Sequence, residues 1–285
     1  MGSFSILNNI SGLNAQNQLN INNVNLTRTL LRLSSGKRIN SGADDAAGLQ
    51  IADSLRANTY ALNQAVRNAN DGIGVSQIAD GALQEVTNLL TRAVTLAEES
   101  ATETVDSTGR ASLHAEFTQI QAEIARIADK TNFNGVSIFG TSGLDGSLSV
   151  FVGDISSSSS ISVTIGAITT TGATVTGFNG GNSIAAVDLT SQSNAAAALT
   201  SIKGALSAVS NMRAGIGAGI NRLQSAVAVL QTQAQNTQSA ESSIRDANIA
   251  EEVANLTKYQ ILSQSGIAAL AQANSNSQSV LSLLR

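Results

Sequence analysis

The 285-residue chain has no cysteine, no proline and no tryptophan, and a single histidine. The absence of cysteine removes disulfides, thiolate metal sites and thiol nucleophiles together. Aromatic residues make up 3% of the chain and charged residues 13%, the latter about half the usual share. So few large rings argue against a compact enzyme core and suit long helices joined through Ala, Leu, Ile and Val. Sixteen Lys and Arg stand against twenty Asp and Glu, and they are scattered. That distribution offers neither the basic patch nor the stacking surface that nucleic-acid binding needs. No run of about 18 apolar residues is present, so no membrane span is expected. Met1 to Ala15 lack the basic segment and continuous apolar run of a secretory signal, and export is expected by another route.

What is present is led by one stretch, Leu199 to Ala234. Alternating steps of three and four pick out Leu199, Ile202, Leu206, Val209, Arg213, Ile216, Ile220, Leu223, Val227, Leu230 and Ala234. Nine of these eleven are Leu, Ile or Val, and only Arg213 interrupts the stripe. A 3.5-residue period held this long predicts a coiled-coil helix. At about 1.5 Å per residue the helix is about 54 Å long and needs partners of similar length.

The two ends have a character of their own. Residues 1–27 carry no charged side chain and hold eight Asn and two Gln, and residues 259–284 are also uncharged. Apolar residues recur at helical spacing in both: Ile6, Ile10 and Leu13 near the start, Ile249, Val253 and Leu256 leading into the other end, then Ile267, Leu270 and Val280. An exposed helix normally carries Lys and Glu on its outer face, and an Asn-rich helix is marginal alone. These ends are expected to be disordered in the free chain and to fold when something packs on them. Their symmetry suggests that they pair with each other and are covered by further copies of the chain.

Between the ends, Ser34-Ser35-Gly36 breaks the first helix, and Lys37 to Gly48 reads as a turn-rich link. Asp44 and Asp45 there are helix caps rather than a catalytic pair, because no histidine or ligand cluster accompanies them. A very long helix follows through Leu49, Leu62, Ile78, Leu90 and Ala97, with Gly72 and Gly74 marking close approach or a bend. After a turn at 102–109, Leu113, Phe117, Ile120, Ile124 and Ile127 form a second seam. From Thr131 to Ile202 there is no Lys or Arg. Alternation at 148–152 and 161–165 predicts a β-hairpin, and Ala173 to Phe178 reads as a further strand. The hydroxyl runs at 156–160 and 169–171 are either glycan acceptors or solvated loop. His114 beside the Leu113 seam position is a flanking side chain. Gly215, Gly217 and Gly219 lie inside the long seam with no preceding strand, so they read as close helix packing and not as a dinucleotide loop. Metalloprotease, phosphate-loop and nucleophile-elbow motifs are missing. Neither an enzyme nor a cofactor is expected.

Several blocks nonetheless resemble one family. Leu13-Asn14-Ala15-Gln16, Leu33-Ser34-Ser35-Gly36-Lys37-Arg38-Ile39-Asn40-Ser41, Asp44 to Leu49, Phe133-Asn134-Gly135, Gln260-Ile261-Leu262, Leu270 to Asn274 and Val280 to Arg285 are similar in order and spacing to bacterial flagellin. The resemblance spans roughly 1–165 and 195–285, and the middle is far shorter than in flagellins with large outer domains.

The resemblance implies a mainly α fold: an elongated antiparallel helical bundle or coiled coil formed by both ends of the chain, with a small β-hairpin region and a short outer insert. Residues 1–33 and 246–285 would be the inner terminal-helix domain, 34–165 and 191–245 the bundle, and 166–190 a variable surface insert. It implies a subunit that polymerises helically into the flagellar filament, exported unfolded by the flagellar type III path to the cell exterior. Ile6, Ile10, Leu13, Val24, Leu31, Ile249, Val253, Leu256, Leu270, Val280, Leu283, Leu284 and Arg285 are the expected filament-core residues. Implied partners are further copies, the filament cap, hook–filament junction proteins, and an export chaperone on the C-terminal region. The family is also sensed by a Toll-like receptor, whose central contacts fall by position on Arg92, Leu96 and Glu116; Thr95 stands where many recognised members carry Glu. A hook–filament junction protein of the same axial class and a helical-stalk adhesin are the competing readings.

Overall fold

The computed structural model describes residues 9–140, 144, 146–153, 159–179 and 181–282, with side chains through Asn276. Five helices carry the described chain: α1 (Ile10–Ser35), α2 (Ala46–Ser100), α3 (Ser107–Lys130), α4 (Gln192–Arg245) and α5 (Ile249–Ser282). Three two-stranded antiparallel pairs lie between α3 and α4: β1 (Asn132–Phe133) with β2 (Val136–Ser137), β3 (Ser147–Phe151) with β4 (Ser160–Thr164), and β5 (Ile168–Thr171) with β6 (Thr174–Phe178). The chain divides into two compact units, one of residues 1–57 and 236–285 and one of 58–235.

The helix ends follow from local chemistry. Asn9 caps α1, its side chain accepting from the Gly12 N–H at 2.9 Å, and Gly36 ends that helix in the left-handed region at φ 68°. Asp45 caps α2 by accepting from the Gly48 N–H at 2.9 Å. Asp44 instead binds the preceding turn, taking the backbone N–H groups of Asn40 and Ser41. Asp106 caps α3 through the Gly109 N–H at 2.7 Å.

In the 58–235 unit the long seam is the spine of the core. Ile202, Val209, Ile216, Leu223 and Leu230 are buried at successive heptads, whereas Leu199, Leu206, Ile220 and Val227 are half-buried beside them. Arg213, the one polar seam position, reaches α2 and donates from Nε to Asp80 at 2.8 Å, which raises its own pKa further. Along one part of the unit, Leu83, Val86, Leu90 and Leu96 of α2 meet Phe117 and Ile124 of α3. Further along, Leu62 and Ala69 of α2 and Leu223 and Leu230 of α4 pack with Val150, Val152 and Val163 of the β3–β4 region, so the hairpin completes the core that α3 does not reach.

The glycines report that hairpin. A Cβ on Gly72 would sit 2.5 Å from Val150, and one on Gly219 would overlap Val163. Gly215 similarly faces the Thr164 carbonyl. The glycine run in α4 therefore admits a strand, where the sequence suggested a second helix. Gly74 and Gly217 meet nothing. The region read as an outer insert also differs: Ile168, Val175, Phe178, Ile184 and Leu189 all belong to the main core. Its backbone is tied down by buried side chains. Ser100 donates to the Leu189 carbonyl at 2.6 Å, and Gln121 donates to the Ile184 carbonyl.

Candidate assembly surface

In the other unit, α1 and α5 lie side by side and antiparallel. Asn9 donates to the Ala273 carbonyl at 3.1 Å, Ser263 donates to the Asn23 side chain at 3.3 Å, and Arg32 reaches Glu252 at 3.4 Å. These ties pair rising numbers on one helix with falling numbers on the other.

The residues between the helices mix small and polar side chains with leucines. On α1 the inward positions are Gly12, Ala15, Leu19, Asn22, Leu26, Thr29 and Leu33, alternating steps of three and four, with Gly12, Asn22 and Thr29 buried. On α5 they are Glu252, Leu256, Tyr259, Ser263, Gly266, Leu270 and Ala273, in the same alternation. Gly266 lets Leu19 approach closely, since a Cβ there would stand 3.9 Å from the Leu19 Cβ.

The larger apolar side chains point the other way. Ile10 and Leu13 are 63% and 61% exposed, and Ile21, Val24, Leu30 and Leu31 are exposed with them. On α5, Ile249, Val253, Ile261, Leu262 and Ile267 are exposed. The anticipated core residues thus separate into two groups. Leu256 and Leu270 face α1, whereas Ile10, Leu13, Val24, Leu31, Ile249 and Val253 face outward. Ile6, Leu283, Leu284 and Arg285 lie outside the described residues, as does the side chain of Val280. The sequence reading missed the inward set because it followed the bulkiest residues. The signal was there in the 12-15-19-22-26-29-33 spacing, which the Gly, Asn and Thr at its positions obscured.

The base of the pair is charged. Arg32 lies 4.0 Å from Asp44 as well as 3.4 Å from Glu252, and Glu252 is buried. Arg245 contacts Asp53 at 3.0 Å and Glu241 at 3.8 Å. Backbone bonds close the same region, Arg38 N–H to the Arg245 carbonyl at 2.7 Å and Ala247 N–H to the Gly36 carbonyl at 3.0 Å.

Other candidate positions take simpler places. Arg92 and Glu116 are exposed and paired at 2.7 Å across α2 and α3, but Leu96 is fully buried and offers no surface to a receptor. It sits on the face of α2 that packs into the core, which hydrophobic burial dictates. His114 Nδ1 accepts from the Leu189 N–H at 3.4 Å and stands 3.8 Å from Asp188. Asp188 is held below its ordinary pKa chiefly by the Thr190 N–H and hydroxyl, with lesser help from the Asn194 amide and nearby His114, against the opposing effect of burial. A groove of about 350 Å³ is lined by Asp71, Val75, Phe133, Val136, Leu148 and Phe151. Among the described residues there is no cluster of His, Asp and Glu able to hold a metal, and no helix is long and apolar enough to cross a membrane.

Two long paired helices that hide small side chains and display large apolar ones define a structural protein built to associate. The comparisons name its family. Residues 6–143 match the bacterial flagellin N-terminal helical region and residues 199–284 the bacterial flagellin C-terminal helical region. The chain is 35% identical to flagellin FlaB1 of Treponema pallidum, covering 98% of this chain and 99% of that protein. It is 39% identical to a flagellin of Halalkalibacterium halodurans, with the same coverage of each. A flagellar filament 33 kDa core protein of Treponema phagedenis is 37% identical, again over 98% of this chain and 99% of that protein. This chain belongs to the bacterial flagellin family.

Proposed function

We propose that this flagellin polymerises through the outward apolar stripes of its terminal helices. As a member of the family it is a structural subunit of the bacterial flagellar filament, which it builds by self-association outside the cell; a junction-protein role is not favoured. Ile10, Leu13, Val24 and Leu31 on α1 and Ile249 and Val253 on α5 are the contact residues in this reading. Ile6, Val280, Leu283, Leu284 and Arg285 are assigned to the filament core from the sequence alone, and Leu256 and Leu270 hold the pair together. Residues 1–33 and 246–285 then form the filament core, residues 34–165 and 191–245 the surrounding bundle, and the exposed edge of 166–190 the outer surface.

The observation that carries this reading is the outward placement of large apolar side chains on helices that otherwise carry almost no charge. Fully covering a Leu or Ile is worth about 1.5–3 kcal/mol, so a row of them repeated in every copy drives association. The contacts are heterologous and non-closing, as a filament requires. The filament cap, hook–filament junction proteins and a chaperone on the C-terminal region are partners in keeping with the family. Export by the flagellar type III path is in keeping with the family. Receptor sensing, if it uses Arg92 and Glu116, would have to do without Leu96.

The test is elongation of the purified chain on filament seeds, followed by electron microscopy and circular dichroism. Long filaments with a gain of helix are expected. Leu13→Asn with Val24→Asn should leave the monomer folded and stop growth. Normal elongation by that variant would remove the stripes from the mechanism.

A further inference from the structure

The polar network at the base of the terminal pair does a job that its apolar surfaces cannot do. The seam between α1 and α5 has little to distinguish one register from the next. Small and polar residues, Gly12, Ala15, Asn22, Ser263 and Gly266 among them, alternate with five leucines and Tyr259, and leucines recur at heptad spacing at 19, 26 and 33. Sliding one helix by a heptad, about 10.5 Å, moves Leu19 from Gly266 to Tyr259 or Ala273, both of which are also seam positions. The slip to Ala273 adds only a methyl group at that contact, whereas the slip to Tyr259 must find room for a ring. A coiled coil of this kind needs a polar or charged position to select its register.

The charged base meets that need. Glu252 is buried on the seam face of α5, and its Oε2 has no hydrogen-bond partner among the described residues. Its other oxygen takes the Arg32 guanidinium at 3.4 Å. Arg32 in turn faces Asp44 in the α1–α2 link, and Asp44 is fastened by the N–H groups of Asn40 and Ser41. A heptad slip would carry the buried Glu252 carboxylate away from Arg32, the only cation among the described residues that reaches it, and leave that charge uncompensated, while Arg32 kept Asp44 alone. Among the described residues, this is also the only ion pair between α1 and α5.

We propose that Arg32, set between Glu252 and Asp44, is a positioning residue that fixes the register in which α1 and α5 pair. The filament consequence rests on the assembly reading above: only one register presents both outward stripes where neighbouring copies require them. The backbone ladder of Gly36 and Arg38 with Arg245 and Ala247 closes the same base but lies outside both helices.

Absence of native cysteine makes the test clean. Leu19→Cys with Gly266→Cys places two Cβ atoms about 3.9 Å apart, within disulfide range. Leu19→Cys with Tyr259→Cys and Leu19→Cys with Ala273→Cys report slips of a heptad in either direction. In the full-length chain, mild oxidation should crosslink the 19–266 pair at least tenfold faster than either slipped pair. Adding Arg32→Met and Glu252→Met removes both charges of the interhelical pair, and Asp44 keeps the N–H groups of Asn40 and Ser41. In that background the slipped pairs should rise to within about threefold of the native pair, while circular dichroism shows helix retained. Should the double variant lose helix, Arg32→Lys with Glu252 intact provides the second reading, and a partial rise in slipped products is expected. Unchanged preference for 19–266 in a folded double variant overturns the proposal, as does equal crosslinking of all three pairs in the native background. Elongation on seeds is scored separately. A chain with the expected crosslinks that never elongates defeats the assembly reading and leaves the register assignment standing.

Discussion

Two glycines of α4, only two positions apart, make opposite demands. Gly219 is buried where a Cβ would meet the Val163 side chain, whereas Gly217 has open space around it. Gly219→Ala should therefore destabilise the monomer by about 1–3 kcal/mol. Gly217→Ala should stabilise it by about 0.5–1 kcal/mol, because Gly costs that much in a helix interior. Urea midpoints followed by circular dichroism separate the two, and a loss at both positions would contradict the open surroundings of Gly217. Asp188 makes a second case at this scale. Its lowered pKa comes chiefly from the Thr190 N–H and hydroxyl, with Asn194 and His114 adding to them. A carboxylate with a depressed folded-state pKa contributes stability above its unfolded value and loses it as pH falls through the folded one. Asp188→Asn is accordingly expected to be less stable than the parent at about pH 7 and to converge with it below about pH 3. Parallel unfolding curves at both pH values decide the point.

Among the elements, α1 and α3 show how differently similar periodicities are used. In α3 the bulky seam faces inward, and Phe117, Ile120 and Ile124 are buried. Phe117→Ala should cost about 3–5 kcal/mol by opening a cavity in the core. In α1 the bulky residues face outward and small ones face the partner helix. Val24→Asn should therefore change monomer stability by less than about 0.5 kcal/mol, as exposed substitutions do, and still impair elongation. A large stability loss at Val24, measured by urea unfolding, would mean that the stripe is covered within the monomer. The contrast rests on composition as much as on period. α3 carries Arg126 and Glu123, paired at 2.6 Å, on its exposed side, and α1 has no charge before Arg28.

For the whole molecule, each compact unit has its own source of stability. The 58–235 unit holds both apolar clusters, from Leu62 to Ala234. The other unit holds the helix pair and its charged base. Deleting residues 1–27 or 259–285 should leave a folded, soluble monomer with cooperative thermal unfolding that does not polymerise. A fragment of residues 58–235 is expected to fold alone with the helix and hairpins described. Circular dichroism and size-exclusion chromatography check both; loss of helix in the fragment would show that the bundle depends on the terminal pair.

Much of this was legible in the residues themselves. The α4 seam, the α3 seam, the cap at Asp45 and the β3–β4 alternation are local patterns whose period or hydrogen-bonding chemistry specifies the element without reference to anything distant. The motif blocks at both ends also carried the family. Three features came only from the folded chain. Arg213 looked like a defect in the stripe until Asp80, 133 residues away in sequence, proved to be its partner. The glycines of α4 looked like a helix contact, yet what approaches them is the β3–β4 hairpin. The apolar residues of α1 were expected in the filament core with no face assigned to them, and tertiary packing gave the contact with α5 to Gly12, Leu19, Asn22 and Thr29. Periodicity reveals that a helix has distinct faces; which face meets which partner depends on close approach and charge pairing between segments far apart in the chain, and those exist only once it has folded.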